Sequence, residues 1–166
     1  MEGPLAIVGY MGSGKSTLGR ILASRLEWEF VDLDQAITRE AGRSIPEIFE
    51  QFGEQHFRDL EARVLADALD GTAERVISCG GGIIVRPENR ERLRRVATIF
   101  LEEDMDLMYR RTRGPGRPLR APDREGFEQR YTERLPLYLE VADIRLPVDE
   151  RPKKDLAEEI RHWLDA

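Results

Sequence analysis

Short apolar runs alternate along the chain with longer stretches in which apolar residues recur every three or four positions. The short runs have the length of buried strands, and they predict strands at residues 5–8, 29–34, 76–78, 96–101 and 144–148. The longer stretches predict helices at residues 17–26, 35–41, 54–69, 104–111, 127–142 and 156–164, with a further helix opening at Pro87. Residues 44–47 carry the helix-starting pattern S-x-x-E ahead of Ile48, Phe49 and Phe52. Strands that alternate with helices favour right-handed βαβ units, so we expect a three-layer α/β/α fold around a central, mostly parallel sheet of five strands.

The composition describes an ordinary soluble domain. Of the 166 residues, 40% are hydrophobic and 35% are charged, so we expect a single domain over residues 1–166. The net charge of −6 argues against a nucleic-acid partner. No apolar run approaches membrane-spanning length, and the single cysteine, Cys79, cannot form an internal disulfide. A monomer in the cytoplasm, without a membrane partner, is therefore the default expectation.

The stretch from Gly9 to Ser16 fits the phosphate-binding pattern G-x-x-x-x-G-K-[ST]. It joins the first predicted strand to the first predicted helix, so a bound phosphate would lie at the positive N-terminus of that helix. Lys15 would reach the β- and γ-phosphates of a nucleotide, and the Ser16 hydroxyl would bind Mg²⁺. The residues expected to bind the nucleotide here are Gly12, Ser13, Gly14, Lys15, Ser16 and Thr17. The alternative is a glycine- and serine-rich turn without a ligand.

Two carboxylates, Asp32 and Asp34, end the second predicted strand. Side chains alternate along a strand, so both are expected to point to the same side. P-loop proteins hold Mg²⁺ with help from an acid at a strand end; the strand ending at Ser78 offers none, so we assign this role to Asp32. Asp34 is predicted to contact the phosphoryl acceptor. Either aspartate could instead cap a helix, which for Asp34 would be the helix starting at Gln35.

Three consecutive glycines, Gly80, Gly81 and Gly82, follow the third predicted strand. Such a run indicates either close approach of the backbone to another group or a positive φ angle. Ligands of parallel sheets bind beyond the carboxyl ends of the strands, where the phosphate loop, the two aspartates and these glycines all lie. We therefore expect the three motifs to form one site.

Arg58 and one arginine-rich segment each allow two interpretations. Arg58 lies on a predicted helix, where it could pair with Glu54 or Glu61 or bind an anion. The segment from Thr112 to Arg124 is dense in arginine, proline and glycine and has no apolar period. A lid that closes over polyphosphate would explain this segment, and a solvated basic loop is the alternative.

In order along the chain, these motifs resemble shikimate kinase, a family within the nucleoside-monophosphate-kinase group of P-loop proteins. The resemblance covers nearly the whole chain. Its motifs are G-Y-M-G-S-G-K-S-T-L-G-R at 9–20, V-D-L-D at 31–34, G-E-x-x-F-R-x-x-E at 53–61, C-G-G-G at 79–82, R-P-L at 117–119 and R-x-P-L-Y at 134–138. The phosphate loop by itself identifies a nucleotide binder, whereas the ordered set is specific to the family.

The resemblance implies that the γ-phosphoryl group of ATP is transferred to the 3-hydroxyl of shikimate, with Mg²⁺, in the biosynthesis of aromatic amino acids. The residues implied to hold shikimate are Asp34, Arg58, Gly80, Gly81, Gly82 and Arg134. Those implied to act in catalysis are Lys15, Asp34 and Arg117, and nucleotide contacts are implied for Arg110, Arg117 and Arg151. The resemblance also places a substrate-binding helical region at residues 34–61 and a lid at 112–124. Arg120 departs from the family, which often has an apolar residue after R-P-L.

Other functions that this fold can support predict different residues. A gluconate kinase would share the loop and the fold but should lack the pairing of Arg58 with Arg134. A nucleoside-monophosphate kinase would need a pocket for a second base, for which no sequence feature argues. A non-catalytic nucleotide-binding regulator would be expected to lose Lys15, Asp34 or Arg117, and all three are present.

Overall fold

The computed structural model describes residues 3–113, 121 and 123–166 of the chain. Within these residues, five strands alternate with seven helices. The strands are β1 Leu5–Val8, β2 Glu29–Asp32, β3 Arg75–Ser78, β4 Ala97–Glu102 and β5 Ile144–Pro147. The helices are α1 Lys15–Leu26, α2 Leu33–Ala41, α3 Ile45–Leu69, α4 Pro87–Leu93, α5 Met105–Arg111, α6 Arg124–Val141 and α7 Lys153–Asp165.

The strands form one parallel sheet in the order β2-β3-β1-β4-β5. Ile7 of β1 and Asp32 of β2 are both in register with Ser78 of β3, so these three strands end side by side. The loop after β1 therefore begins at the middle of the carboxyl edge of the sheet. This arrangement confirms the predicted five-stranded α/β fold.

Helices cover both faces of the sheet, and each face has its own apolar core. Leu5 and Ile7 of β1 pack in the core beneath α1 and α7. Ala6 and Val8 belong to the second core, which includes side chains from α2, α3, α4 and α6. All four residues of β1 are fully buried, as expected for a central parallel strand covered on both faces.

The predicted elements are present, but several boundaries differ from the prediction. The second strand ends at Asp32 rather than at residue 34, because a helix begins at Leu33. As the S-x-x-E pattern predicts, Ser44 and Glu47 form a capping box, and the helix that begins there at Ile45 continues through the stretch predicted from residue 54. Gly53, with a φ angle of 84°, interrupts helical geometry inside this long α3.

No helix in the described part of the chain is both long enough and apolar enough to cross a lipid bilayer.

Candidate active site

The loop between β1 and α1 curls around its own lysine. Gly12 and Gly14 have φ angles of 81° and 90°, a left-handed conformation that glycine adopts without strain. The Lys15 ammonium donates to the carbonyl oxygens of Gly9 and Tyr10, each at 2.9 Å. Lys15 is 9% exposed, so its charge is held inside the loop, at the N-terminus of α1. This is the geometry in which a P-loop binds phosphate.

Asp32 has two roles in the structure, one for each carboxylate oxygen. Its Oδ1 accepts from the backbone N–H groups of Asp34 and Gln35, at 3.0 and 3.2 Å, and so caps α2. Its Oδ2 accepts from the Ser16 hydroxyl at 2.7 Å. The Ser16 hydroxyl also lies 3.1 Å from that of Ser78. Asp32 therefore caps a helix, which was the alternative to Mg²⁺ binding considered from the sequence, and its other oxygen contacts the phosphate loop.

Asp34 does not lie on the strand, which corrects the prediction that it shares a strand side with Asp32. It occupies the first turn of α2, because the Asp32 side chain starts that helix two residues earlier than the sequence pattern indicates. It does not cap a helix starting at Gln35 either, since Asp32 is the cap. Asp34 nevertheless faces the same cavity as the phosphate loop.

The three predicted motifs surround one cavity of about 260 Å³ at the carboxyl edge of the sheet. Its lining residues come from the phosphate loop, the β2–α2 junction, the end of β3 and the last turn of α5. They are Met11, Gly12, Gly14, Lys15, Ser16, Thr17, Asp32, Asp34, Ser78, Cys79, Gly80, Gly81 and Arg111. The cavity thus joins a half formed by the G-x-x-x-x-G-K-[ST] loop to a half with two carboxylates.

The glycine run after β3 is explained by close contacts, because none of its three residues is among the described glycines with positive φ. A Cβ on Gly81 would lie 3.1 Å from the backbone nitrogen of Met11. A Cβ on Gly82 would overlap the guanidinium group of Arg58. Glycine therefore allows this turn to approach both the phosphate loop and Arg58 closely.

Arg58 is buried and paired with a buried acid. It is 6% exposed, Glu61 is 2% exposed, and Arg58 Nη1 donates to Glu61 Oε1 at 2.7 Å. Glu54 is more distant, with its Oε1 3.7 Å from Arg58 Nε. Burial raises the pKa of Glu61, and the charge and hydrogen bond of Arg58 oppose that rise. Arg58 Nε and Nη2 are buried without a hydrogen-bond partner among the described residues. These two N–H groups are therefore available to donate to a bound anion.

Arg134 lies near Arg58, although the two residues are far apart in sequence. Burial lowers the pKa of Arg134, and the positive charge of Arg58 lowers it further. The Arg134 guanidinium carbon lies 5.9 Å from the centre of the Tyr10 ring, in the phosphate loop. One turn along α6, the Tyr138 hydroxyl donates to the Gly81 carbonyl oxygen. The α6 helix is thus attached to the glycine turn at the level of Arg134.

Of the three arginines predicted to contact the nucleotide, Arg110 and Arg151 lie in the described part of the chain and Arg117 does not. Arg110 is exposed, and its Nε donates to the Asp106 carbonyl at 3.4 Å. Arg151 is exposed and pairs with Asp149 and Glu159. Neither is among the residues that line the cavity. Arg117 lies outside the described residues, as does most of the predicted lid, including Arg120.

Two residues that sequence reasoning did not assign to the site lie beside it. Arg111, rather than Arg110, lines the cavity and donates to the Gly12 carbonyl oxygen at 3.1 Å. Tyr10 is fully buried, and its hydroxyl donates to the carbonyl oxygen of Phe127 in α6 at 2.8 Å. The tyrosine could have been noticed, because it is a large aromatic residue inside a glycine-rich loop.

The fold and this cavity define a class of enzyme. A central parallel strand runs into a curled G-x-x-x-x-G-K-[ST] loop, and a lysine, a serine hydroxyl and two carboxylates surround one cavity. These are the parts of a P-loop phosphotransferase. The family model "Shikimate kinase" matches residues 11–165. The chain therefore belongs to the shikimate kinase family.

Individual relatives agree with the family. The chain is 45% identical over 160 residues to "Shikimate kinase" of Rhodopseudomonas palustris, covering 94% of this chain and 78% of the relative. It is 42% identical over 166 residues to "Shikimate kinase" of Symbiobacterium thermophilum, covering 96% and 95% of the two chains. The solved structure "Shikimate kinase from Acinetobacter baumannii in complex with shikimate" superimposes with a TM-score of 0.91 at 36% identity, covering 99% of this chain and 93% of that one.

Membership of this family means that the chain is an ATP-dependent kinase of shikimate. A gluconokinase from Sinorhizobium meliloti also superimposes, with a TM-score of 0.59 at 18% identity, which shows a common fold alone. The family assignment decides against the alternatives of a gluconate kinase, a nucleoside-monophosphate kinase and a non-catalytic regulator.

Proposed function

We propose that this chain transfers the γ-phosphoryl group of ATP to the 3-hydroxyl of shikimate, and that the acceptor binds between Arg58, Arg134 and the glycine turn. The observation that carries the proposal is the buried edge of Arg58. Its Nε and Nη2 have no hydrogen-bond partner among the described residues, and Gly82 lies directly against the guanidinium. Buried guanidinium N–H groups without an acceptor are costly unless a ligand provides one, and a carboxylate fits two such donors on one edge.

Arg134 supplies the second positive charge for that carboxylate. Burial lowers the pKa of Arg134, and repulsion from the positive charge of Arg58 lowers it further. A bound anion would relieve the repulsion, so the two arginines together favour an acid over a neutral sugar. Asp34, in the first turn of α2, is then positioned to accept from the hydroxyl that receives the phosphoryl group.

Catalysis is proposed to rest on Lys15, Asp34 and Arg117. Lys15 would exchange its two loop carbonyls for phosphate oxygens and stabilise the charge that develops during transfer. Asp34 would orient the acceptor hydroxyl and take its proton. Arg117 stays a prediction from the R-P-L motif, as do the nucleotide contacts of Arg110 and Arg151.

Ser16 and Asp32 are proposed to hold Mg²⁺. The Ser16 hydroxyl and a carboxylate oxygen of Asp32 lie 2.7 Å apart, and hard oxygen donors of this kind suit Mg²⁺. No group of three His, Cys, Asp or Glu in the described part of the chain could hold a metal, but Mg²⁺ in such sites takes only one or two protein ligands besides phosphates and waters. When bound, the ion would neutralise charge on the phosphates.

The proposed organisation is one kinase domain over residues 1–166, acting as a monomer in the cytoplasm. Helical residues 34–61 would form the acceptor side, and residues 112–124 would form a lid.

A coupled assay of ADP release tests the identity of the substrate directly. Shikimate should support turnover, whereas gluconate and AMP should give no more than the background rate. Turnover with AMP or gluconate in place of shikimate would refute the proposal.

Replacing Arg134 by methionine should weaken shikimate selectively. The variant loses a charge-assisted contact, which should raise the KM for shikimate roughly 10- to 150-fold and leave the KM for ATP within about twofold. Arg95 offers a control outside the proposed lid and the cavity lining, since its side chain is 71% exposed and pairs at the surface with Glu91. Arg95→Met should leave the KM for shikimate unchanged. If only the KM for ATP rose, Arg134 would contact the nucleotide rather than shikimate, which would contradict the proposal.

Replacing Asp32 by asparagine should raise the Mg²⁺ requirement without loosening the fold. Asparagine caps helices as well as aspartate, so the free energy of unfolding should change by less than about 1 kcal/mol. The loss of charge beside Ser16 should weaken the ion, and added Mg²⁺ should partly restore the rate. Rate against Mg²⁺ concentration and urea unfolding test the two statements separately. A variant that unfolds much more easily, with an unchanged Mg²⁺ requirement, would reduce Asp32 to a helix cap.

A further inference from the structure

A second ammonium group lies against the phosphate loop. Lys153, the first residue of α7, places its Nζ 3.0 Å from the position that a Cβ on Gly14 would occupy. Gly14 immediately precedes Lys15, caps α1 and lines the cavity. The chain contains three lysines, Lys15, Lys153 and Lys154, and two of them therefore meet at this loop.

The Lys153 ammonium is buried without an acceptor. Its Nζ has no hydrogen-bond partner among the residues that the structure describes. Burial lowers the pKa of Lys153, while the charge of Glu103 opposes this and that of Arg111 adds to it. An ammonium group carries three donors, and a buried cation whose donors are unused is expected where a ligand supplies the acceptor.

The neighbouring carboxylate is engaged by another cation. Glu103 Oε2 accepts from Arg111 Nη1 at 3.0 Å, and Glu103 Oε1 accepts from the backbone N–H of Asp104 at 2.8 Å. The same Arg111 nitrogen donates to the carbonyl oxygen of Gly12. Beside the loop, Glu103 thus interacts with two cations, Arg111 and Lys153, and its hydrogen bonds go to Arg111 and the backbone rather than to Lys153.

We propose that Lys153 is a second lysine of the nucleotide site and donates to a phosphate oxygen of bound ATP or ADP. Its position beside Gly14 puts it at the N-terminus of α1, where the backbone N–H groups also favour phosphate. The inference rests on ATP binding at the phosphate loop and is independent of the roles proposed for Arg58, Arg134 and Asp34. It adds a residue to the nucleotide contacts predicted from the sequence.

The test compares Lys153→Met with Lys154→Met in the full chain. Lys154 is the adjacent, exposed lysine, so it controls for the loss of one positive charge at the same place. MgADP and adenosine are titrated by isothermal calorimetry. Lys153→Met should bind MgADP about 10- to 100-fold more weakly than the wild type, whereas Lys154→Met should stay within about twofold. Adenosine, which lacks phosphate, should bind both variants equally.

Two outcomes would overturn the proposal. Equal MgADP affinity in Lys153→Met and Lys154→Met would show that the ammonium contacts no phosphate. Equal weakening of MgADP and adenosine would mean that Lys153 supports the loop by packing. Lys153→Gln repeats the measurement if the methionine variant melts at a lower temperature. Failure of the wild type to bind MgADP would instead count against the phosphate loop itself.

Discussion

Asp34→Asn should lower kcat with shikimate by about 10²- to 10⁴-fold, the range over which a positioned general base contributes. Asparagine keeps the size and shape of the side chain but cannot take the proton of the acceptor hydroxyl. The variant should still bind MgATP normally, because Asp34 lies on α2 and not in the loop that holds the phosphates. Steady-state rates and nucleotide titration measure the two effects.

The response to Mg²⁺ concentration should distinguish Asp34→Asn from Asp32→Asn. Raising the Mg²⁺ concentration should not restore Asp34→Asn, whereas it should partly restore Asp32→Asn, whose carboxylate contacts Ser16 at 2.7 Å. The two aspartates differ in position in the structure, with Asp32 at the strand end and Asp34 inside the helix. Rescue of Asp34→Asn alone would show that the two roles are reversed.

Arg58→Met should destabilise the protein by about 3–5 kcal/mol, the usual cost of removing one partner of a buried ion pair. Glu61 is 2% exposed and would be left in the core without the donor that now contacts it at 2.7 Å. Urea unfolding at neutral pH measures the loss. Weaker shikimate binding by this variant therefore has two possible sources, which makes Arg134→Met the cleaner test of the acceptor site.

Arg63 provides the matched control for this stability prediction. It lies on the same helix, but its side chain is 61% exposed and its pairing with Glu40 is at the surface, so Arg63→Met should cost no more than about 1 kcal/mol. In a second control, Arg58→Met combined with Glu61→Gln should recover part of the lost stability but none of the shikimate affinity. Equal losses in Arg58→Met and Arg63→Met would show that the buried pair adds nothing.

The same variant should change how stability depends on pH. Burial already raises the pKa of Glu61 in the folded protein, and Arg58 opposes that rise. Without Arg58 the folded pKa of Glu61 should rise further above the unfolded value, so protonation of the buried carboxyl is favoured more strongly than in the wild type. Stability linked to a raised carboxyl pKa is complete below the unfolded pKa and is lost as the pH rises through the folded pKa. Compared with the wild type, Arg58→Met should therefore lose more stability between mildly acidic and alkaline pH.

Parts of the site that depend on local chain geometry were predictable from the sequence. The phosphate loop follows from one contiguous pattern, and the carboxyl ends of parallel strands necessarily share an edge. The position of Asp34 was not predictable from strand alternation. The helix begins at Leu33 because Asp32 caps it, and this capping signal competes with the apolar pattern that extends the strand. Whether the strand continues or the helix starts at this point depends on the hydrogen bonds from Asp34 and Gln35 to the Asp32 side chain, which the apolar pattern does not predict.

Contacts between distant segments were harder to predict. The sequence left Arg58 either paired or free for an anion, and burial permits both, because one nitrogen contacts Glu61 while two others stay without a partner among the described residues. Lys153 meets Gly14 only after β5 returns the chain to the carboxyl edge. The sequence contains only three lysines, and this scarcity indicated a role for Lys15 but did not indicate one for Lys153.

The hydrogen bond from the Tyr138 hydroxyl to the Gly81 carbonyl has a consequence for the design of inhibitors. It joins two walls of the proposed acceptor pocket that are 57 positions apart in the chain. Tyr138 is fully buried and stacks on Phe100, so the join is anchored in the core. The spacing between Arg134 and the glycine turn is thereby fixed before any compound arrives. A rigid cyclic acid whose size matches that spacing would lose little conformational entropy on binding. Flexible analogues would lose more and should therefore bind more weakly.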